Sequence, residues 1–568
     1  MIHNPLSKMK IRLILSAVAV LAATAAWAQP TGGTMGGVDI LVVDKYKAKV
    51  REAVKITGQP EVKDTTVKPL PVSIRVRPRF VVPKVQLEPI APLSIGKTRL
   101  ERMPKNYIRM GVGNYGSPEV ALAVGAGRTT NASWALKASH QSTVTGVPQE
   151  TRVFRDNASQ DNRLQARWVQ NVGSVRMSMG LEGQSQMVSF YGVPLDSALN
   201  LADTANRAPQ RWMHSGGGQW NIEPLRTNRR SVFYGVQTEY RFLYDAVGSA
   251  QEHRARIAAD FRKPVGNVEL LLPLSSTFLD LKQSFGTTRI VVAEFAPSVA
   301  DTVGILSFTA GFKAVPTFRQ SPGMAVPTKL YVFPNIQMTV PLVKNLINIQ
   351  GGYVGSVLNN GWGGLLAVNP WISELTNYRE SSETRLYGGL TGRITGRLSY
   401  QVGAAFVDRN HAAQFYRDAG KLSTDSGRMH LEYVNWTNFQ QRAELAYQHP
   451  IGLEVRSFYE RNGFKSSGGT LYHLPAYEAG LNALLNLKGK VRLESDLRWV
   501  GPRNIPSADT EPAQLPSYLD WRMGVYYQYN KQLQAYANGT NLLNRPYALW
   551  QGYTVQGIRG VLGLSYKF

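Results

Sequence analysis

The sequence has no cysteine in 568 residues. That excludes a disulfide framework, thiolate metal sites, a cysteine nucleophile and a lipid-modified N-terminal cysteine. Long apolar runs are missing too, and the mean hydropathy is −0.22. A helical membrane bundle, which needs several runs of about 20 apolar residues, is thereby excluded. A charge-free stretch runs from Asn345 to Ser373, but five Asn and six Gly make it a poor spanning helix. Acidic residues are few, 39 against 64 Lys and Arg, so the formal net charge is +25. Aromatic residues are plentiful, with 26 Tyr, 19 Phe and 11 Trp, which excludes a disordered chain. A soluble β-protein or a membrane barrel remains.

The first residues address the compartment. Lys8, Lys10 and Arg12 precede an apolar run from Leu13 to Ala26, and Ala26-Trp27-Ala28 has the A-x-A form. This is the pattern of a secretory signal peptide over residues 1–28, with cleavage expected after Ala28.

Residues 29–105 differ in composition from the rest of the chain. They hold nine prolines, at 30, 60, 69, 71, 78, 83, 89, 92 and 104, and 15 basic against 7 acidic residues. Such spacing interrupts helices and central strands alike, so an extended, basic, Pro-rich periplasmic arm is expected. A flexible linker is the alternative. Asp44–Ile56 is free of proline and fits a short helix.

From residue 106 to 568 the period is two. Leu398, Tyr400, Val402, Ala404 and Phe406 alternate with Arg397, Ser399, Gln401, Gly403 and Ala405. Val491, Leu493, Leu497 and Trp499 alternate with Arg492, Glu494, Asp496 and Arg498. Alternation puts these sets on opposite faces of a strand, but a sandwich and a membrane barrel both produce it.

The C-terminus separates the two. Ile558, Leu562, Leu564, Tyr566 and Phe568 share one face and end on an aromatic side chain, as in an interfacial girdle. Gly563, Tyr566 and Phe568 resemble the membrane-insertion signal of bacterial outer-membrane proteins, read by the outer-membrane insertion machinery; Val561 stands where that signal prefers a polar residue. The expected fold is all-β: a transmembrane antiparallel barrel of about 22 strands (16–22) in the outer membrane of a Gram-negative bacterium. Long connections near 141–161 and 184–228 are expected outside, and tight turns at 127–130 and 171–174 in the periplasm. The segment 411–420 is not assigned. That plan makes the strand from Tyr107 run outward and gives an even strand count.

Asn541-Leu-Leu-Asn-Arg-Pro-Tyr547, Trp550, Gly552-Tyr553, Gly557 and the terminal Gly563…Phe568 resemble the C-terminal end of TonB-dependent receptors. There an Asn-Leu-hydrophobic-Asn-x-x-Tyr motif belongs to the penultimate strand. Such receptors carry a folded plug before the barrel, whereas residues 29–105 are short and punctuated by proline. The resemblance is therefore to receptor-like barrels without a standard plug, as in the Bacteroidota. It implies that Val38, Asp39, Ile40, Leu41, Val42 and Val43 form a contact segment for TonB or another periplasmic partner; a plain β-prone segment is the alternative.

Chemistry is sparse. The histidines, at 3, 140, 214, 253, 411, 430, 449 and 473, form no H-E-x-x-H or other close ligand pair, and no G-x-S-x-G or nucleotide-binding motif occurs. No catalytic, metal or cofactor site is expected, and the chain reads as a non-enzyme. Trp212, His214 and Trp220 fall in an expected outer loop, to pack that loop or to grip a ligand. Three basic residues lie in the leader and a net +8 on the arm, which leaves +14 on the barrel. Nucleic acid is not an expected partner of an outer-membrane protein. The basic excess suits a lumen for anionic solutes, a rim against lipid phosphates, or an arm docking an acidic partner. The resulting expectation is a receptor-like channel for small polar or anionic solutes, gated by its arm. A scaffold or assembly component whose arm docks a periplasmic partner is the alternative.

Overall fold

The computed structural model describes residues 106–126, 131–145, 157–192, 208–225, 232–323, 327–344, 346–373, 378–417, 427–507 and 513–568. The leader, the arm, the Val38–Val43 segment, the Asp44–Ile56 helix and the turn 127–130 lie outside the described residues.

One antiparallel sheet holds 23 strand segments, and all but two of them pair with the segments before and after them in the chain. The first strand, Tyr107–Gly113, also pairs with the last, Arg559–Lys567, from Tyr107↔Lys567 to Gly113↔Val561. That pairing closes the sheet and leaves no edge, as a spanning barrel requires. Two segments, Gly286–Phe295 and Ser298–Val303, lie between the same neighbours, Val268–Gln283 and Leu306–Gln320. They are one stave broken at Ala296-Pro297, where proline offers no N–H to the ladder. The barrel therefore has 22 strands.

The faces follow the alternation. Met110 and Val112, Val402 and Phe406, and Leu562, Leu564, Tyr566 and Phe568 stand exposed on the outer surface. On the lumen side, Arg109, Arg442, Arg492 and Arg522 form ion pairs. Connections at one end are short, such as Gly173-Ser174, Gly266-Asn267 and Gly304-Ile305; those at the other end include 359–380, 501–517 and 541–558. Both termini of the barrel lie at the short-turn end.

Several expectations are corrected. The outer connection before Gln210 is shorter than 184–228, because Val175–Ser189 and Gln210–Pro224 are paired strands of the wall. Trp212, His214 and Trp220 are thus on the wall's outward face, not in a loop. The stretch 141–161 likewise loses its ends to the strands Ala132–Thr143 and Ser159–Val172. The unassigned 411–420 begins as strand, since Leu398–Tyr416 runs through it with an irregularity between Arg409 and Ala412.

Candidate functional site

The charge-free stretch 345–373 supplies both a strand, Ile347–Leu358, and a helix, Gly361–Val368. With three glycines among its eight residues, that helix is not stable by propensity or length. Its formation is tertiary. Trp362, Leu365 and Leu366, spaced i, i+3 and i+4, are buried against Val188, Met213, Ala250, Leu279, Ile290, Val315, Phe333 and Phe415. These partners come from strands spread around the barrel wall, so the helix sits inside the lumen at the long-loop end. Each such side chain contributes about 1.5–3 kcal/mol when fully buried.

Polar contacts fix the helix to the wall. Glu252, on the strand Ala250–Val265, accepts from the backbone N–H of Trp362 and from that of Gly363 at 3.3 Å. The carboxylate takes the place of an N-cap, as Asn360 supplies no side-chain cap. Gly361 has φ +69°, and a Cβ there would lie 2.7 Å from the Glu252 carboxylate, so only glycine fits. The Gly361 N–H donates to the Tyr378 hydroxyl, which itself donates to Asn359 Oδ1 at 2.9 Å.

A second anchor is ionic. Arg211 and Asp245 are both fully buried and form a two-bond pair, Nε–Oδ1 at 2.9 Å and Nη2–Oδ2 at 2.7 Å. Arg211 Nη1 also donates to the carbonyls of Pro370 and Ile372, at 2.9 and 2.6 Å. Trp362 Nε1 donates to Asp245 Oδ2 at 3.0 Å. Fork geometry suits arginine to holding a carboxylate and two carbonyls at once.

The outer connections then knit over this helix. Trp371 stacks on Tyr553 with ring centroids 3.9 Å apart and donates to the Ser189 carbonyl at 3.0 Å. Tyr553 donates to the Gly427 carbonyl and meets Tyr191 edge-on. Met429 and the segment Trp371–Ser373 exchange backbone hydrogen bonds at 2.8 Å. The helix and these connections form a stopper tied to the wall from inside the long-loop mouth.

Below the stopper the lumen wall is polar. Arg442–Glu460 (2.7 Å), Arg498–Glu478 (2.7 Å), Arg522–Asp520 (2.8 Å), Arg492–Glu494 (3.2 Å) and Arg109–Glu119 (3.1 Å) form a lattice of ion pairs. Tyr536 donates to Glu119 at 2.7 Å, and Arg109 lies over its ring at 3.9 Å.

The residues singled out from the sequence are spread over the molecule. Tyr566 and Phe568 stack on the outward face with centroids 6.2 Å apart. Gly563 faces the lumen, where a Cβ would lie 2.3 Å from Tyr536 Cζ. The Asn541–Tyr547 motif is not in the penultimate strand. It comes after that strand, which ends at Thr540, and shapes the outer turn. Asn541 and Asn544 both have φ +49°, and Asn541 Nδ2 donates to the carbonyls of Arg545 and Gln556 at 3.1 and 2.8 Å. His140, His214 and His253 share the outward face; His214 stacks between Trp212 and Tyr244, and His253 shares a hydrogen bond with Tyr240 at 2.8 Å. Among the described residues no three His, Asp or Glu cluster as metal ligands. Arg211, Asp245, Glu252 and Trp362 were not singled out from the sequence. The charge-free stretch was the one local sign of the stopper.

No protein-family model matches the chain, and no curated protein matches it. Solved structures do. The FrpB iron transporter from Neisseria meningitidis superposes with a TM-score of 0.65 at 8% identity, over 82% of this chain and 83% of that one. The ferripyoverdine receptor of the outer membrane of Pseudomonas aeruginosa gives 0.62 at 12% identity, over 82% and 72%. The ferric-catecholate import receptor Fiu from Escherichia coli K12 gives 0.59 at 11% identity, over 82% of each chain. The chain thus has the barrel fold of outer-membrane receptors.

Proposed function

We propose that this protein is an outer-membrane receptor-like channel for small polar or anionic solutes, closed at its outer mouth in the state described. The observation that carries this reading is the stopper. One end of a polar lumen holds a helix fastened to the wall by Glu252, Asp245 and Arg211 and by apolar packing. Barrel interiors are open channels in some outer-membrane proteins and occupied by a loop or helix in others, and a receptor that admits solute on demand needs the second arrangement. The basic arm, residues 29–105, serves at the periplasmic side as gate or docking segment. Val38–Val43 is its contact with TonB or another periplasmic protein. Gly563, Tyr566 and Phe568 present the terminal strand to the insertion machinery, and the outward apolar belt meets outer-membrane lipid.

Planar-bilayer conductance tests the reading on the mature chain, on a form starting at Tyr107, and on Trp362→Ala. Large openings in Trp362→Ala, rare in the mature chain, are the expected result. Openings that also appear on removing the arm alone make the arm a second gate. Silence from every form, with the barrel folded, overturns the channel and favours the scaffold reading.

A further inference from the structure

Charge is distributed unevenly on the lumen wall. The arginines of the ion-pair lattice each have a carboxylate within 3.2 Å. The wall formed by residues 132–265 also carries ion pairs, Arg163–Asp161 at 3.1 Å and Arg176–Glu223 at 3.5 Å, but the stretch between them holds an excess of cations. There Arg241 takes both nearby carboxylates, Glu239 at 2.7 Å and Glu182 at 3.4 Å. Lys137, Arg167 and Arg256 have no ion-pair partner among the described residues. Cross-strand register sets these groups in two tiers. Arg167, Gly180, Gln219, Glu239 and Arg256 succeed one another across neighbouring strands. The tier nearer the mouth runs through Lys137, Gln165, Glu182, Gly217, Arg241 and Arg254. Arg254 is two residues below Glu252, a rise of about 7 Å along the strand, so the tiers begin directly under the stopper.

A recess of about 430 Å³ opens beside Gly180, lined by Lys137, Arg167, Glu182, Gln219, Glu239 and Arg241. A Cβ at Gly180 would meet the Gln219 side chain at 3.1 Å. Three carboxylates, Glu182, Glu239 and Glu252, do not balance the five cations of this patch, and a low-dielectric wall focuses the remaining field.

We propose that this recess is a binding site for carboxylate- or phosphate-bearing solutes, with Lys137 and Arg167 gripping the anion and Arg254 and Arg256 drawing it along the wall. The proposal rests on the channel reading and names the site beneath its gate.

The test is calorimetric titration of inorganic pyrophosphate into the refolded mature chain at low ionic strength. The double variant Lys137→Gln/Arg167→Gln is expected to weaken binding by about tenfold or more, as two charge-assisted contacts are lost. Arg492→Gln, in the paired lattice, is expected to change it by less than about twofold. No binding by the parent chain, or equal losses in both variants, overturns the site. Conductance separates this from the reading beneath it: a barrel that conducts without binding pyrophosphate loses only the site. One that binds pyrophosphate yet never conducts loses only the channel.

Discussion

The indole nitrogen of Trp362 donates to the carboxylate of Asp245 across 117 residues of sequence, at 3.0 Å and with both side chains shut off from solvent. This bond joins the lumen helix to the wall through a carboxylate that also neutralises Arg211. Asp245→Ala therefore strands a buried guanidinium and is expected to cost about 3–5 kcal/mol, read from chemical unfolding in detergent micelles. Asp245→Asn, which keeps an acceptor for Trp362, is expected to cost less. Equal stabilities for the parent and Asp245→Ala would show that the pair holds nothing.

Glu252 is the substitute cap of that helix. Glu252→Ala leaves the N–H groups of Trp362 and Gly363 without a partner and is expected to destabilise stopper docking by about 1–3 kcal/mol. Hydrogen exchange at those two amides should quicken accordingly. Glu252→Gln retains an oxygen acceptor and should fall between. Unchanged exchange in both variants would mean that the helix is held by apolar packing alone.

Gly563 has a packing reason as well as a resemblance to an insertion signal. Its hypothetical Cβ collides with the ring of Tyr536 and with the Met110 carbonyl, each at 2.3 Å. Gly563→Ala is expected to lower the yield of folded barrel, assayed by heat-dependent gel mobility. Tyr536→Ala in the same chain should restore part of it. No rescue by the double variant would shift the weight from packing to recognition by the insertion machinery.

His473 makes the outer connections sensitive to acid. It is buried beside Trp550, at 4.9 Å between rings, and neither ring nitrogen has a hydrogen-bond partner among the described residues. Burial, with the Arg503 charge adding to it, lowers its pKa from 6.5 to about 3. The folded value lies below the unfolded one, so the unfolded segment binds more protons. Its stability is full above pH 6.5 and is lost as pH falls from there towards 3. At pH 5 the loss is roughly 2 kcal/mol. Protection factors for residues 467–476 should drop between about pH 7 and 5 in the parent and stay nearly level in His473→Gln. Level protection in the parent would exclude His473 as the cause.

Much of the barrel was legible in the sequence because strand alternation is local. Leu562, Leu564, Tyr566 and Phe568 declare an outward face within seven residues, and their exposure agrees with it. The even count of about 22 strands came from segment spacing and loop parity. The strand Gln210–Pro224 was missed because Gly216, Gly217 and Gly218 and the polar His214 and Ser215 blur its alternation.

The sequence by itself determined that the chain makes a closed antiparallel barrel, which face of each regular strand meets lipid, and that the interior is polar. Period two and a terminal aromatic carry that information in neighbouring residues. Tertiary structure alone decided that residues 361–368 become a helix inside the mouth, and that Lys137, Arg167 and Arg256 gather on the lumen wall without an ion-pair partner among the described residues. Those outcomes depend on groups brought together from far along the chain, 110 residues for Trp362 with Glu252 and 161 for Arg211 with Ile372. No local pattern encodes such distances; closing the barrel does.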